Sequence, residues 1–386
     1  MDPNTYCNEP WRTAHYDDVG DLGPCCTYRG VREKFNSLDD YWNSEWLQKF
    51  REDLNQGVRP DGCRQCWLKE DRGEHSQRTD KNERWGIIQE PQLKELFLSF
   101  GNICNKSCGI CRPSRSSLIA KEYKTIPSDN AWRQAVLTEK KHRQTVALAK
   151  KYSGQYLDQW ENYKTGLASA EIIYLDGGEP FVVDQCTKIL EYMIAQGMTN
   201  KHIKAGTNGS ATPYQLELLS QFDKVSFHLS IDGIEDLYKV VRPPHSWDWW
   251  NTHHNQIQKY PFNITYACVA HAFNVHQLPE IVDYFISQRQ INPNTFIFFS
   301  QINSQQHLEC SVVPVEVMDK TIESLKSRLP NMTAADQKQI HRLITHLQVQ
   351  RDVDDPVIKQ NFQLYCDTFS RIKNINYGEY IPWINQ

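Results

Sequence analysis

The sequence has no apolar run approaching the ~18 residues of a membrane-spanning helix, which excludes such a helix as its organising element. Charge of one sign is also missing. The formal net charge of −4 argues against a general nucleic-acid binder, which wants a basic excess. The first ten residues lack the basic stretch and apolar core of a secretory signal, so we expect a cytoplasmic protein. Cysteine is not scarce, but its placing is uneven. After Cys111 none occurs until Cys186. Of the 12 cysteines, seven, with Cys26 left aside, fall in two arrays with ligand-like spacing. That grouping fits metal binding in a reducing compartment better than a disulfide framework.

The composition, 39% apolar and 23% charged over 386 residues, is that of a globular chain with room for two domains, or for one large domain with an appendage. The densest array is Cys104-Asn105-Lys106-Ser107-Cys108-Gly109-Ile110-Cys111, a Cys-x₃-Cys-x₂-Cys triplet. It follows an apolar run, Leu93 to Phe100, that reads as a buried strand. Three thiolates this close can hold three corners of one iron–sulfur cluster and leave one iron open to chemistry. Structural zinc sites usually take four ligands, often as paired Cys-x₂-Cys.

The triplet's spacing and its place after a strand resemble the cluster motif of the radical S-adenosylmethionine (SAM) enzymes. By that resemblance Cys104, Cys108 and Cys111 hold a [4Fe–4S] cluster that binds SAM. The enzyme would cleave SAM reductively to a 5′-deoxyadenosyl radical, which abstracts hydrogen from a substrate. Many members carry an aromatic residue just before the third cysteine, near the adenine. Here Ile110 stands there and offers an apolar contact.

The second array lies upstream: Cys7, the pair Cys25-Cys26 after Gly23-Pro24, and Cys63-Arg64-Gln65-Cys66. Between them, Ser37 to Arg51 reads as one helix. Ser37 is its N-cap, and Leu38, Tyr41, Trp42, Trp46 and Phe50 recur at helical spacing. Gly57 and Pro60 end it. The order of these features is similar to the SPASM/twitch auxiliary-cluster module. Here the module precedes the barrel, as in twitch-type radical SAM proteins of phage and bacteria. The resemblance implies a second [4Fe–4S] cluster on Cys7, Cys25, Cys63 and Cys66, with Cys26 as the doubtful fifth. A zinc ribbon on the same four residues competes, since the ligand set alone does not separate the two. His75 and Arg78 read as solvated or supporting side chains.

From about residue 92 the chain alternates short β-branched runs with helices. Strands are expected over 93–100, 170–175, 201–206, 224–229, 264–270 and 295–300. Six such repeats give an α/β fold, a partial (β/α)₆ TIM-like barrel, in which chemistry sits at the C-terminal ends of strands. The expected division is a cluster domain over 1–88, a barrel over 89–312 with a helical insertion at about 118–169, and a helical extension over 313–386. The insertion is expected to form helices over 132–151 and 152–163. Its basic residues Lys140, Lys141, His142, Arg143, Lys150 and Lys151 read as a solvated helix face.

Asp176-Gly177-Gly178-Glu179-Pro180 follows the second strand. Paired glycines let backbone pass close to a ligand, and a carboxylate beside them can pair with an ammonium. In radical SAM enzymes Gly177, Gly178 and Glu179 would meet the SAM amino group. Ser230 and Arg242 would meet its carboxylate. Asn208 and Asp232 read equally well as turn caps. The Trp/His-rich stretch 245–254 is either a substrate lid or a packed helix.

The resemblance thus implies an oxidoreductase- or transferase-type enzyme with SAM, a peptide or small-molecule substrate, and an electron donor such as flavodoxin or ferredoxin. We lean to a peptide or protein substrate; a metabolite, carbohydrate or nucleotide is the alternative. No membrane or nucleic-acid partner is expected. A zinc-stabilised binding protein needs no SAM. An electron carrier with two closed clusters needs a fourth triplet ligand from Cys186, Cys268 or Cys310.

Overall fold

A computed structural model describes residues 2–17, 20–137, 160–302 and 305–384. The protein is α/β, and the described residues form eight strands, mostly parallel: β1 (Thr13–Tyr16), β2 (Leu22–Gly23), β3 (Glu95–Ser99), β4 (Ile172–Asp176), β5 (His202–Thr207), β6 (Lys224–Ser230), β7 (Asn263–Ala270) and β8 (Thr295–Gln301). Strands β3 to β8 fall where the β-branched runs predict them. The chain forms two compact units. One contains 1–101, 156–205 and 218–225; the other contains 102–155, 206–217 and 226–386.

In the first unit β1 pairs antiparallel with β2 and parallel with β3, and β3 to β5 follow in parallel register. Strand β3 is buried at every position, as a strand covered on both faces must be. The pair β1–β2 was invisible in the sequence. Its two strands are only four and two residues long, too short for a period to show. The helix expected over Ser37 to Arg51 is two helices, Leu38–Trp42 and Glu45–Asn55. Ser44 breaks the run, because its hydroxyl accepts from Leu47 N and caps a new helix. Gly57, at φ 88°, then turns the chain.

In the second unit β6, β7 and β8 pair in parallel. Along β7 burial alternates residue by residue, with Ile264, Tyr266 and Cys268 inside. The tail is helical, as expected, with helices Val315–Arg328, Ala334–Arg351 and Pro356–Lys373. Between 138 and 159 the expected helices and the basic residues Lys140, Lys141, His142, Arg143, Lys150 and Lys151 lie outside the described residues. Among the described residues no helix is long and apolar enough to cross a membrane.

Candidate cluster sites

In the first unit, Cys7, Cys25, Cys63 and Cys66 line one small cavity together with Glu9, Thr27, Tyr28, Trp67, Gln77 and Arg78. Its outer wall is an aromatic cluster of Tyr6, Trp11, Tyr28, Phe50 and Trp67. Trp46 belongs to this packing and stacks on Phe50, while Trp42 lies under the guanidinium of Arg51. Cys63 caps the helix Arg64–Glu70, which puts Cys66 in its first turn. The doubt between the neighbouring cysteines is geometric, and the side chains diverge. Cys25 faces the cavity, whereas the Cys26 thiol donates to Gln77 Oε1 at 3.4 Å. Burial raises the Cys7, Cys25 and Cys63 thiols above their usual range, and each is raised further by a neighbouring cysteine. Cys25 reaches about 12. Thiols that resist ionising without a cation yet crowd together suit a site completed by metal.

Arg78 is not solvated. It is buried against Glu70, donates from Nη1 to Tyr6 O at 2.7 Å, and carries the N-terminal segment against the helix Gln77–Trp85. His75 is exposed, with Nδ1 3.5 Å from Asp80.

The glycine pair after β4 lies in the same unit. Gly177 has φ 129°, and a Cβ there would lie 2.9 Å from Phe100 N and 3.0 Å from Gly101 O. Gly178 N donates to Gly101 O at 2.8 Å. The close approach that demands glycine is therefore to the backbone leaving β3. Glu179 is 1% exposed, and its Oε1 accepts from Phe181 N at 3.3 Å.

The second unit holds the triplet loop, which is tied down from many directions. Ser116 Oγ donates to Lys106 O at 2.6 Å, Ser107 N to Pro243 O at 2.8 Å, and Gln305 Nε2 to Cys111 O at 3.1 Å. Asn208 Nδ2 donates to Asn105 Oδ1 at 2.8 Å and lies 3.9 Å from Cys104 Sγ. It thus touches the triplet rather than only capping a turn. Burial pushes the Cys111 thiol up to about 11, with Cys108 adding to it, while Arg112 and Arg115 oppose. Ile110 is half-buried within the loop.

Ser230 ends β6 and is half-buried. Arg242 is buried, and its Nη2 donates to Asp232 Oδ2 at 2.6 Å. Asp232 Oδ1 also accepts from Val269 N at 2.8 Å, which ties the guanidinium to β7. Burial lowers the Arg242 pKa, but Asp232 and then Cys108 more than restore it, leaving it above its ordinary value. Among the described residues Arg242 Nε has no hydrogen-bond partner. One face of the fork is therefore committed and one donor is left over. Cys268 is engaged by Val269 O and Asn274 Nδ2.

The Trp/His stretch is a packed helix, Trp247–Ile257. Trp250 is fully buried and stacks on His254. Its neighbour Trp249 lies over the ammonium of Lys106, 3.8 Å from the ring centre, and Lys106 Nζ donates to Tyr238 OH at 3.0 Å. Lys106, Gln305 and Lys373 were missed from sequence. A buried lysine looks like a surface one until its partners are known.

No protein-family model and no curated protein matches the chain. Among solved structures, native anSMEcpe with bound AdoMet is similar at 16% identity and TM-score 0.40, over 61% of this chain and 59% of that one. Streptococcus suis SuiB bound to S-adenosylmethionine is similar at 14% identity and TM-score 0.36, over 78% and 52%. SuiB bound to the precursor peptide SuiA is similar at 12% identity and TM-score 0.37, over 78% and 55%. The alignments thus span between half and three fifths of those chains. Likenesses this partial carry nothing over to the chemistry of this chain.

Proposed function

We propose that this protein is a radical SAM enzyme with a partial (β/α)₆ barrel, a twitch-like N-terminal cluster domain and a helical C-terminal extension. One observation carries the proposal. Three cysteines at Cys-x₃-Cys-x₂-Cys spacing follow strand β3 in a single loop, and basic groups surround that loop. Cys104, Cys108 and Cys111 would hold a [4Fe–4S] cluster. Bound there, the cluster supplies the electron for reductive cleavage of SAM.

The donor set fits. Three thiolates outweigh the positive charge of a [4Fe–4S] core, so the whole assembly would be anionic and gain from nearby cations; Arg112, Arg115 and Arg242 all act on these sulfurs. The unpartnered Nε of Arg242 suits the SAM carboxylate, with Ser230 as a second donor. Ile110, in the triplet loop, would pack on the adenine. Cys7, Cys25, Cys63 and Cys66 would hold the auxiliary [4Fe–4S] cluster, an electron acceptor for an oxidative outcome.

For substrate we propose a peptide or protein. A cleft of about 1000 Å³ in the second unit is bordered by Ser107 of the triplet loop and by Lys239, Arg371, Glu379 and Tyr380. That is the upper end for a small-ligand pocket, and its mixed charge suits a peptide main chain with polar side chains. The test is anaerobic reconstitution followed by deuterated peptide and metabolite pools. Deuterium in 5′-deoxyadenosine from the peptide pool supports the proposal; transfer only from metabolites overturns the substrate class.

A further inference from the structure

Lys373 is the last residue of the helix Pro356–Lys373, before Asn374 turns left-handed at φ 52°. Its side chain is 2% exposed. Its Nζ donates to Ser107 O at 2.7 Å and lies 3.0 Å from Ser107 Oγ. It also meets both oxygens of Glu122, at 2.8 and 2.7 Å. An ammonium has three protons, so four acceptors within reach saturate it. Ser107 sits between Cys104 and Cys108. The far end of the chain therefore grips the triplet loop at its middle.

The ammonium also lies within electrostatic reach of the Cys108 and Cys111 sulfurs. A buried charge is little screened by salt and acts through a lower dielectric than a surface one. An ion pair that only anchored one helix to another would not need the Ser107 carbonyl.

We propose that Lys373 is a positioning residue for the triplet cluster: it fixes the loop at Ser107 and sets a positive charge beside Cys108 and Cys111 that favours the reduced state. This role rests on the proposed triplet cluster. Adding one electron makes the cluster more negative, so a fixed cation stabilises the product of that step. The electron in the test comes from dithionite.

The experiment is a redox titration of the reconstituted full chain followed by electron paramagnetic resonance, with the signal lost in Cys108→Ala assigned to the triplet. Lys373→Met should lower the reduced-to-oxidised ratio at fixed potential by about three- to tenfold, each tenfold being about 59 mV for one electron. Lys373→Arg should restore most of it, and Glu122→Gln should move it the other way. Should Lys373→Met fail to fold, Glu122→Gln against Glu122→Gln/Lys373→Met isolates the same charge with no carboxylate left unpaired, and the ratio should again fall. An unchanged ratio with the cluster in place would overturn this role alone. A wild-type chain without a Cys108-dependent cluster would overturn it together with the cluster assignment.

Discussion

The two cysteine groups are built in opposite ways. The first gathers its thiols from three separate stretches, around Cys7, Cys25 and Cys63-Cys66, and can exist only once the aromatic packing of Tyr28, Phe50 and Trp67 has brought them together. The second takes all three from one loop, and distant residues then brace that loop: Asn208, Gln305 and Lys373. Their electrostatic settings differ too. Glu9 raises the Cys7 and Cys25 thiols, whereas Arg112, Arg115 and Arg242 surround the triplet. A closed group with a carboxylate neighbour suits a relay. An open group among cations suits a site that takes up an electron and a ligand's carboxylate.

The sharpest way to break this contrast is to remove one thiol from each group. Cys108→Ala should abolish SAM cleavage and remove about four of roughly eight irons. Cys63→Ala should also remove about four irons yet leave reductive SAM cleavage in place. Equal loss of cleavage in both variants would erase the distinction.

A smaller effect comes from Glu70→Ala, which strands Arg78 beside the first group. Breaking a buried pair from one side costs about 3–5 kcal/mol, to be read from urea denaturation. Iron should leave the first group faster while the triplet signal is unchanged.

Acid should act on the second unit. Burial holds His254, His271 and His307 at about 4, below the ordinary value of about 6.5. Below pH 6.5 the unfolded chain takes up protons that the folded chain refuses. Stability is therefore intact above pH 6.5 and falls as pH drops from there to about 4, by at most about 3–4 kcal/mol per histidine. His254→Gln should flatten that decline in denaturant titrations at stepped pH. A decline of unchanged steepness would show that His254 carries none of it.

The smallest effect belongs to Cys26→Ala. Its thiol points to Gln77, so iron content should match wild type within error. A loss of about four irons would make Cys26 the ligand in place of Cys25.

How legible all this was in the sequence depended on length and locality. The triplet could be read because its ligands sit within one loop, and strands β3 to β8 could be read because each is a compact run, apolar in β3 and with β-branched residues in the others. Strands β1 and β2 could not, since pairing with β3 rather than any local pattern makes Thr13–Tyr16 a strand. The break at Ser44 rests on one hydroxyl that accepts from Leu47 N, inside a run whose aromatic spacing is that of a single helix. The choice between Cys25 and Cys26 depends on a side-chain direction, which spacing does not encode. Lys106 and Lys373 look like ordinary surface lysines until Tyr238, Trp249, Ser107 and Glu122 are brought to them.

The most direct test counts iron and sulfide in the anaerobically reconstituted chain, then follows 5′-deoxyadenosine after SAM and dithionite are added. We expect roughly eight irons, with 5′-deoxyadenosine formed by wild type and absent in Cys108→Ala. Zinc in place of iron, or iron without any SAM cleavage, would contradict the assignment of the triplet as a radical SAM site.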